Sequence, residues 1–168
     1  AVDRGTGSGA IGLSLAVEVI GTEGWLTDAS ADALAVARAN LAGIGRADGS
    51  VRLAEGSWFE ALPAELAGNI GVVVSNPPYV ASEADLEPQV SQWEPASALA
   101  APDGGTAHLV TPIEQSPLWL MPVGALILEM APDQVEPMVE RATALFGEVD
   151  AVLDLADRPR ALVARGPQ

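Results

Sequence analysis

The run from Ile70 to Ser75 constrains the fold more than any other stretch, because it is apolar on both faces. Such a strand needs helices on both sides of its sheet, which is the arrangement found in parallel α/β sheets. The run stops at Asn76 and is followed by Pro77, Pro78 and Tyr79. Proline cannot extend a ladder of backbone hydrogen bonds. The sequence therefore predicts a central parallel strand that ends abruptly on a rigid, polar segment.

The rest of the chain alternates between strand-like and helix-like segments. Further strands are predicted at 1–3, 24–28, 50–56 and 124–130, with two final strands at 148–153 and 160–164. Helices are predicted at 10–20, 31–41, 107–120 and 132–146, with Ser30 as the N-cap of the second. The third is expected to be interrupted by Pro112 and Pro117. This alternation predicts a doubly wound α/β sheet that is mostly parallel. The last two strands are expected to form an antiparallel pair at its edge, and residues 81–105 a long connection.

Composition excludes several classes of function. The 168 residues suit one domain, so we expect residues 1–168 to fold as a unit. The absence of cysteine excludes disulfides, thiolate catalysis and zinc–sulfur sites, and it is compatible with a cytoplasmic protein. The sequence has no acidic spacing typical of a metal site, no secretory signal and no apolar run near the roughly 20 residues that span a bilayer.

The net charge of −15 bears on the partners of the protein. An acidic surface repels phosphate backbones, since affinity for nucleic acid comes largely from basic side chains. A cationic ligand or a basic protein partner fits this field better. Solubility or a saline host explains the same acidity, and composition alone does not choose between these explanations.

A glycine-rich turn, DRGTGSG at residues 3–9, joins the first predicted strand to the first helix. Glycine lacks a Cβ atom, so a ligand can approach the backbone closely at such a turn. The spacing satisfies both a dinucleotide site and an S-adenosylmethionine site, and in both Asp28 would accept hydrogen bonds from ribose hydroxyls. The acid two residues before Gly5 favours S-adenosylmethionine. A turn capped by Thr6 or Ser8 without a ligand is the alternative.

The segment after the central strand suits chemistry on a planar nitrogen. Ligands of open α/β sheets bind beyond the carboxyl ends of the strands, so Asn76 is expected to face the same cleft as the glycine turn. A planar nitrogen is a poor nucleophile, and the Asn76 carboxamide oxygen and the Pro77 carbonyl would accept its two N–H bonds and stabilise the developing charge. Tyr79 would pack flat against the planar group. A simple strand terminator, with Asn76 capping a turn, is the alternative.

Six segments, in this order and spacing, resemble the peptide chain release factor N(5)-glutamine methyltransferases. They are GTGSGAIGLSLA, ALAVARANLA, SWFEAL, VVVSNPPYV, WEPASALAAPDGG and DLADRPRALVAR. The NPPY motif alone does not separate this family from DNA-adenine or ribosomal-RNA guanine methyltransferases, whereas the block at 93–105 favours it. The resemblance covers essentially the whole chain and implies a Rossmann-like class I methyltransferase sheet.

The resemblance also implies a reaction and a set of site residues. The reaction is methylation of the glutamine amide in the Gly-Gly-Gln motif of release factors, with S-adenosylmethionine as cofactor and S-adenosylhomocysteine as product. The expected cofactor-binding residues are Asp3, Gly5, Thr6, Gly7 and Gly9 at the methionine part, Asp28 at the ribose, Ser57 and Trp58 at the adenine, and Asn76. The expected catalytic residues are Asn76, Pro77 and Tyr79, and Glu94 and Pro95 would support them. Release factors are the expected partners, without direct contact to nucleic acid or membrane.

Several features depart from the family pattern. Arg4 stands where a small or apolar residue is usual, Ser57 replaces an aspartate, Gln92 an arginine and Ala131 a glycine. We expect these changes to alter the affinity for cofactor and substrate rather than the class of reaction. The family also carries an N-terminal helical docking domain, and we expect it to be missing before Ala1.

Three other functions stay open at this stage. They are methylation of an amino group in nucleic acid, hydride transfer with NAD, and ligand binding without catalysis. Among the remaining residues, the single histidine, His108, is expected at the surface, and Trp25 and Trp119 are expected to pack in the core. Glu129, at a strand end, is interpreted either as a supporting residue of the cleft or as a structural acid.

Overall fold

The computed structural model describes residues 1–45, 49–81, 100–101 and 105–168. The strands are β1 (Val2–Arg4), β2 (Gly24–Asp28), β3 (Val51–Glu55), β4 (Ile70–Ser75), β5 (Val80–Ala81), β6 (Ala100–Ala101), β7 (Leu120–Glu129), β8 (Phe146–Leu153) and β9 (Pro159–Pro167). The α-helices are α1 (Ala10–Glu18), α2 (Ala31–Ile44), α3 (Ala107–Gln115) and α4 (Val135–Thr143). Short 3₁₀ helices lie at Ala64–Leu66, Ser116–Leu118 and Pro132–Gln134.

Seven strands form one sheet in the order β3-β2-β1-β4-β7-β9-β8. Strands β3, β2, β1, β4 and β7 are parallel to one another, whereas β9 is antiparallel to both of its neighbours. This order confirms the predicted doubly wound sheet, with β1 beside β4 at its centre and an antiparallel pair at one edge. A separate parallel pair, β5 and β6, follows the NPPY segment.

The predicted start of strand β7 was wrong, because Pro122 and Gly124 interrupt its strand-like sequence pattern. Of the two prolines expected to interrupt the helix at 107–120, Pro112 lies inside α3, whereas α3 ends at Gln115 and Pro117 lies in a 3₁₀ turn that leads into β7. Strand β7 begins at Leu120, four residues earlier than predicted, and its pairing with β4 shifts between Ile70 and Val72. At this irregularity a Cβ on Gly124 would lie 2.9 Å from the Ile70 carbonyl oxygen, so the strands approach too closely for a side chain.

Two further helix boundaries differ from the predictions. Helix α2 continues to Ile44 and stops at Gly45, whose φ of 70° lies in the left-handed region that glycine adopts readily. Helix α4 is shorter than the predicted 132–146 segment, since its first residues form a 3₁₀ turn and Phe146 already belongs to β8. The Ser30 N-cap is confirmed, because its side chain accepts a hydrogen bond from the Ala33 N–H.

The core lies on both faces of the sheet. One cluster packs α3 and α4 against β4, β7 and β9, and its fully buried members include Val73, Leu126 and Leu128. The second lies under α1 and α2 and is built from Leu13, Leu26, Leu41 and Val51. Burying each aliphatic side chain contributes about 1.5–3 kcal/mol, so these clusters fix the relative position of the strands.

The tryptophans expected in the core are found there. Trp25 and Trp119 pack against the larger cluster, and the ring of Trp119 stacks on Phe59 with 5.4 Å between centroids. Within the described ranges, no helix is both long and apolar enough to cross a membrane.

Candidate functional site

The glycine-rich turn leaves β1 with its backbone open to a cavity. Gly5 and Gly7 have φ values of 61° and 56°, which L side chains adopt only with strain. A Cβ built on either residue meets nothing within 4 Å, and both line the cavity, so a side chain here would fill space that a ligand can use. The turn is held at its far side by Asn40 of α2, whose Nδ2 donates to the Ser8 carbonyl at 2.9 Å.

Asp3 lies beneath this turn rather than in the cavity. Its Oδ2 accepts hydrogen bonds from the Thr6 hydroxyl at 2.6 Å and from the Gly12 N–H at 2.8 Å. The side chain is buried, and desolvation raises the pKa of its carboxyl group above the usual value despite these bonds. Asp3 and Thr6 therefore shape the turn, and neither lines the cavity.

Asp28, at the end of β2, joins three elements. Its Oδ2 accepts from the Gly7 N–H and its Oδ1 from the Ser30 N–H, each at 2.9 Å. These bonds fix the carboxylate between the glycine turn and the start of α2. Because Asp28 also lines the cavity, its carboxylate oxygens can accept further hydrogen bonds from a ligand bound there.

The NPPY segment reaches the same cavity because β4 pairs with β1. Arg4 lies opposite Ser75 in the ladder, and the Ser75 hydroxyl donates to the Arg4 carbonyl at 2.6 Å. The next residue of each strand is therefore Gly5 on one side and Asn76 on the other. Asn76 is exposed and Pro77 is buried, and both line the cavity.

Tyr79 is hydrogen-bonded to two residues of the C-terminal half, Glu129 and Gln134. Its hydroxyl donates to Oε1 of Glu129 at 3.3 Å, and Nε2 of Gln134 donates to its carbonyl at 2.9 Å. The Oε1 of Gln134 accepts from the Ala131 N–H, so both ends of this buried amide are used. A Cβ on Gly105 would lie 2.2 Å from the Tyr79 carbonyl oxygen, so only glycine fits there. Desolvation first, and then the Glu129 carboxylate, raise the pKa of Tyr79.

The cavity has a volume of about 740 Å³ and brings together most of the expected site residues. Those that line it are Gly5, Gly7, Asp28, Ser57, Trp58, Asn76 and Pro77. Those that do not are Asp3, Thr6, Gly9 and Tyr79. Gln92, Glu94 and Pro95, together with most of the block at 93–105, lie outside the described residues, so their expected roles stay predictions.

A cation lies in the wall of the cavity. The Arg4 side chain is only 3% exposed, and its guanidinium carbon is 4.5 Å from the Trp58 ring centroid and 4.4 Å from that of Phe59. Its Nε and Nη1 have no hydrogen-bond partner among the described residues. Desolvation lowers the pKa of Arg4 to about 9, which still leaves it cationic at neutral pH. The sequence marked Arg4 as unusual but gave no sign of this burial.

The prediction for His108 was wrong. It does not project from the surface but is half-buried, lines the cavity and lies with its ring centroid 5.4 Å from that of Trp58. Desolvation lowers the pKa of His108, so the neutral imidazole is the form present at neutral pH. Trp58 itself has a φ of 52°, an unfavourable value for a bulky residue, and its ring is held between Arg4 and His108.

Gln134 and Gly105 are the site residues that sequence reasoning missed. Gly105 belonged to a quoted family segment, and its close approach to Tyr79 explains why glycine stands there. No local pattern identified Gln134, because its partners lie 3 and 55 residues away and meet it only in the folded chain.

Comparison with solved structures reveals the same architecture in a methyltransferase from Pyrococcus furiosus. The TM-score is 0.70 at 18% sequence identity, covering 100% of this chain and 75% of the other. An identity this low bears on the fold alone.

Comparison with curated sequences gives closer matches. The release factor glutamine methyltransferase of Bordetella pertussis is 42% identical over 136 residues, which cover 80% of this chain and 48% of the relative. The enzyme of the same name from Burkholderia pseudomallei is 38% identical over 178 residues, covering 99% of this chain and 59% of the relative. The chain thus spans about half the length of the curated relatives it matches.

A family model described as the methyltransferase small domain matches residues 1–112. That range includes the glycine turn, Asp28 and the NPPY segment, which together make up most of the cavity wall. The matched range is more than half of the chain, and the chain belongs to the methyltransferase small domain family.

Proposed function

We propose that this chain is the catalytic domain of an S-adenosylmethionine-dependent release factor glutamine methyltransferase. The observation that carries the proposal is the pairing of β1 with β4, which sets the glycine turn and Asn76-Pro77 at adjacent strand ends on one cavity. The similarity to curated enzymes of that name along nearly the whole chain supports the choice of substrate.

The residues of the cavity fit the proposed cofactor. Gly5 and Gly7 leave open space where a ligand's aminoacyl end would approach the backbone. Asp28 offers fixed carboxylate oxygens for ribose hydroxyls, and Ser57 and Trp58 line the part of the cavity where the adenine is expected. When bound, S-adenosylmethionine supplies an electrophilic methyl group and leaves as the neutral thioether S-adenosylhomocysteine.

Asn76 and Pro77 would hold the substrate amide. The Asn76 carboxamide oxygen and the Pro77 carbonyl accept the two N–H bonds of the glutamine side chain, which orients its nitrogen towards the cavity. These acceptors also stabilise the positive charge that develops on the nitrogen during attack. The extra proton of the methylated amide then leaves to water without a dedicated base. Pro77 and Pro78 keep the acceptors rigid, since φ is fixed in proline.

Tyr79 anchors this segment in the proposed mechanism. Its hydroxyl bonds Glu129 and its carbonyl bonds Gln134, so the chain following Pro78 is tied to β7 and the turn before α4. Packing of the Tyr79 ring against the substrate amide stays a prediction. The single-domain organisation and the cytoplasmic location also stay predictions.

A substrate panel tests the proposal. The chain, in molar excess over substrate so that weak docking does not limit transfer, is incubated with S-adenosylmethionine labelled in the methyl group. We expect label on a release factor and none on the same factor with its Gly-Gly-Gln glutamine changed to alanine. Label on DNA or ribosomal RNA and not on the release factor would contradict the proposal and favour a nucleic-acid methyltransferase. Calorimetric binding of NAD without binding of S-adenosylhomocysteine would contradict the cofactor.

A further inference from the structure

We infer that Arg4 is a specificity-determining residue of the cavity, which makes it favour the neutral thioether S-adenosylhomocysteine over the cationic sulfonium S-adenosylmethionine. The inference rests on the proposed function for the identity of the ligand. It concerns this chain in particular, because Arg4 is the basic residue of the glycine-rich turn at 3–9.

The position of the Arg4 charge is fixed by its neighbours. The guanidinium lies within 4.5 Å of the ring centroids of both Trp58 and Phe59, and Phe59 is itself stacked on Trp119. The Trp58 ring also contacts His108, with 5.4 Å between ring centroids. A side chain that is 3% exposed and enclosed in this way cannot turn into solvent when a ligand enters.

The Arg4 charge is also not neutralised by direct contact. Among the described residues no carboxylate forms an ion pair with it, and Nε and Nη1 lack even a neutral hydrogen-bond partner. The acids that line the same cavity are Asp28 and Asp32, and neither forms an ion pair with Arg4. His108, the remaining titratable group of this wall, is neutral at neutral pH.

A positive charge in a cavity wall lowers the affinity of a positively charged ligand more than that of a neutral ligand of the same shape. S-adenosylmethionine and S-adenosylhomocysteine share the same adenosine and amino-acid groups, so contacts with those groups cancel in the comparison. They differ in the sulfonium charge. At an effective dielectric constant of about 20, a unit positive charge in the cavity wall repels the sulfonium but not the thioether, which weakens binding of the cationic form on the order of tenfold. Arg4 should therefore lower the affinity of the cavity for S-adenosylmethionine relative to its affinity for S-adenosylhomocysteine.

Calorimetry on the chain and on Arg4→Met tests this inference. The ligands are S-adenosylmethionine, S-adenosylhomocysteine and sinefungin, which carries an ammonium group in place of the methyl sulfonium. Methionine keeps much of the volume of arginine without its charge, so we expect Arg4→Met to strengthen both cationic ligands about tenfold relative to S-adenosylhomocysteine. Arg4→Lys, which keeps the charge, should retain most of the original preference.

A matched control is available elsewhere in the chain. Arg52 also lies over a tryptophan ring, with 5.6 Å to the Trp25 centroid, but its side chain is half exposed and outside the cavity. Arg52→Met should leave all three affinities unchanged.

The outcomes separate this inference from the proposed function. If S-adenosylhomocysteine binds tightly but the affinity ratios in Arg4→Met stay within about twofold of the parent, the inference is wrong and the proposed cofactor stands. If neither adenosyl ligand binds the parent, both are wrong. If Arg4→Met does not fold, Arg4→Gln, which is also uncharged, takes its place with the same expected and contradicting results.

Discussion

The two sides of the cavity are held in place by different means. The hydrogen bonds within the glycine turn come mainly from groups close to it in sequence, namely Asp3, Thr6, Gly12, Asp28 and Asn40. The NPPY segment is fixed by groups far along the chain, because Tyr79 bonds Glu129 and Gln134 across 50 and 55 residues. The glycine turn is therefore held mainly by nearby groups, whereas the NPPY segment is also held by groups of the C-terminal half.

This difference predicts that the two sides can be damaged separately. A change beneath the turn should weaken cofactor binding, whereas a change behind Tyr79 should slow transfer and leave cofactor binding intact. Three substitutions, of Asp3, Gln134 and His108, should differ in size of effect and in which side they affect.

The largest effect is expected from Asp3→Ala. It leaves the buried Gly12 N–H and Thr6 hydroxyl without an acceptor, at a cost of about 1–3 kcal/mol for each unsatisfied group. We expect the free energy of unfolding, measured by urea denaturation, to fall by that cost. We also expect S-adenosylhomocysteine binding, measured by calorimetry, to fall about 100-fold, because the turn that lines the cavity loses its shape. Asp3→Asn is the matched control, because its carbonyl oxygen can accept both bonds. An Asn variant as defective as the Ala variant would mean that the Asp3 charge acts on the ligand directly.

A smaller effect is expected from Gln134→Met, which keeps the length of the side chain but not the hydrogen bond to the Tyr79 carbonyl. The NPPY segment then loses one of its anchors, so we expect the rate of methyl transfer to fall about tenfold, equivalent to one lost hydrogen bond of roughly 1.4 kcal/mol. Cofactor affinity should not change. A parallel loss of S-adenosylhomocysteine binding would contradict the separation of the two sides.

The smallest effect is expected from replacing His108, which is not among the residues described above as holding the glycine turn or the NPPY segment. Desolvation lowers its pKa in the folded state, so the unfolded chain takes up a proton first as the pH falls. The free energy of unfolding should therefore decrease slightly as the pH falls from about 7 towards 5. His108→Gln should lose that component, as measured by urea denaturation at each pH. Since His108 is the only histidine, an identical pH dependence in the variant would contradict the burial described above.

The parts of the site that were predictable are those that depend on strand order. The pairing of β1 with β4 follows from the doubly wound pattern, and it brings Gly5 and Asn76 to one cavity. The hydrogen bonds behind Tyr79 were not predictable, because a long-range contact such as that of Gln134 has no local sequence signal. The burial of Arg4 and His108 was hidden for the same reason: both lie beside Trp58, whose left-handed backbone is set by tertiary packing.

The central claim is that Asn76 acts on the substrate amide at a cavity whose cofactor side is built independently. The most direct measurement compares S-adenosylhomocysteine binding and methyl transfer to a release factor in one variant, Asn76→Ala. Asn69→Ala is the matched control, since Asn69 is an exposed turn residue that bonds only local carbonyls. We predict that Asn76→Ala binds S-adenosylhomocysteine with nearly unchanged affinity and loses transfer by at least about 100-fold. Full transfer in Asn76→Ala would contradict the account.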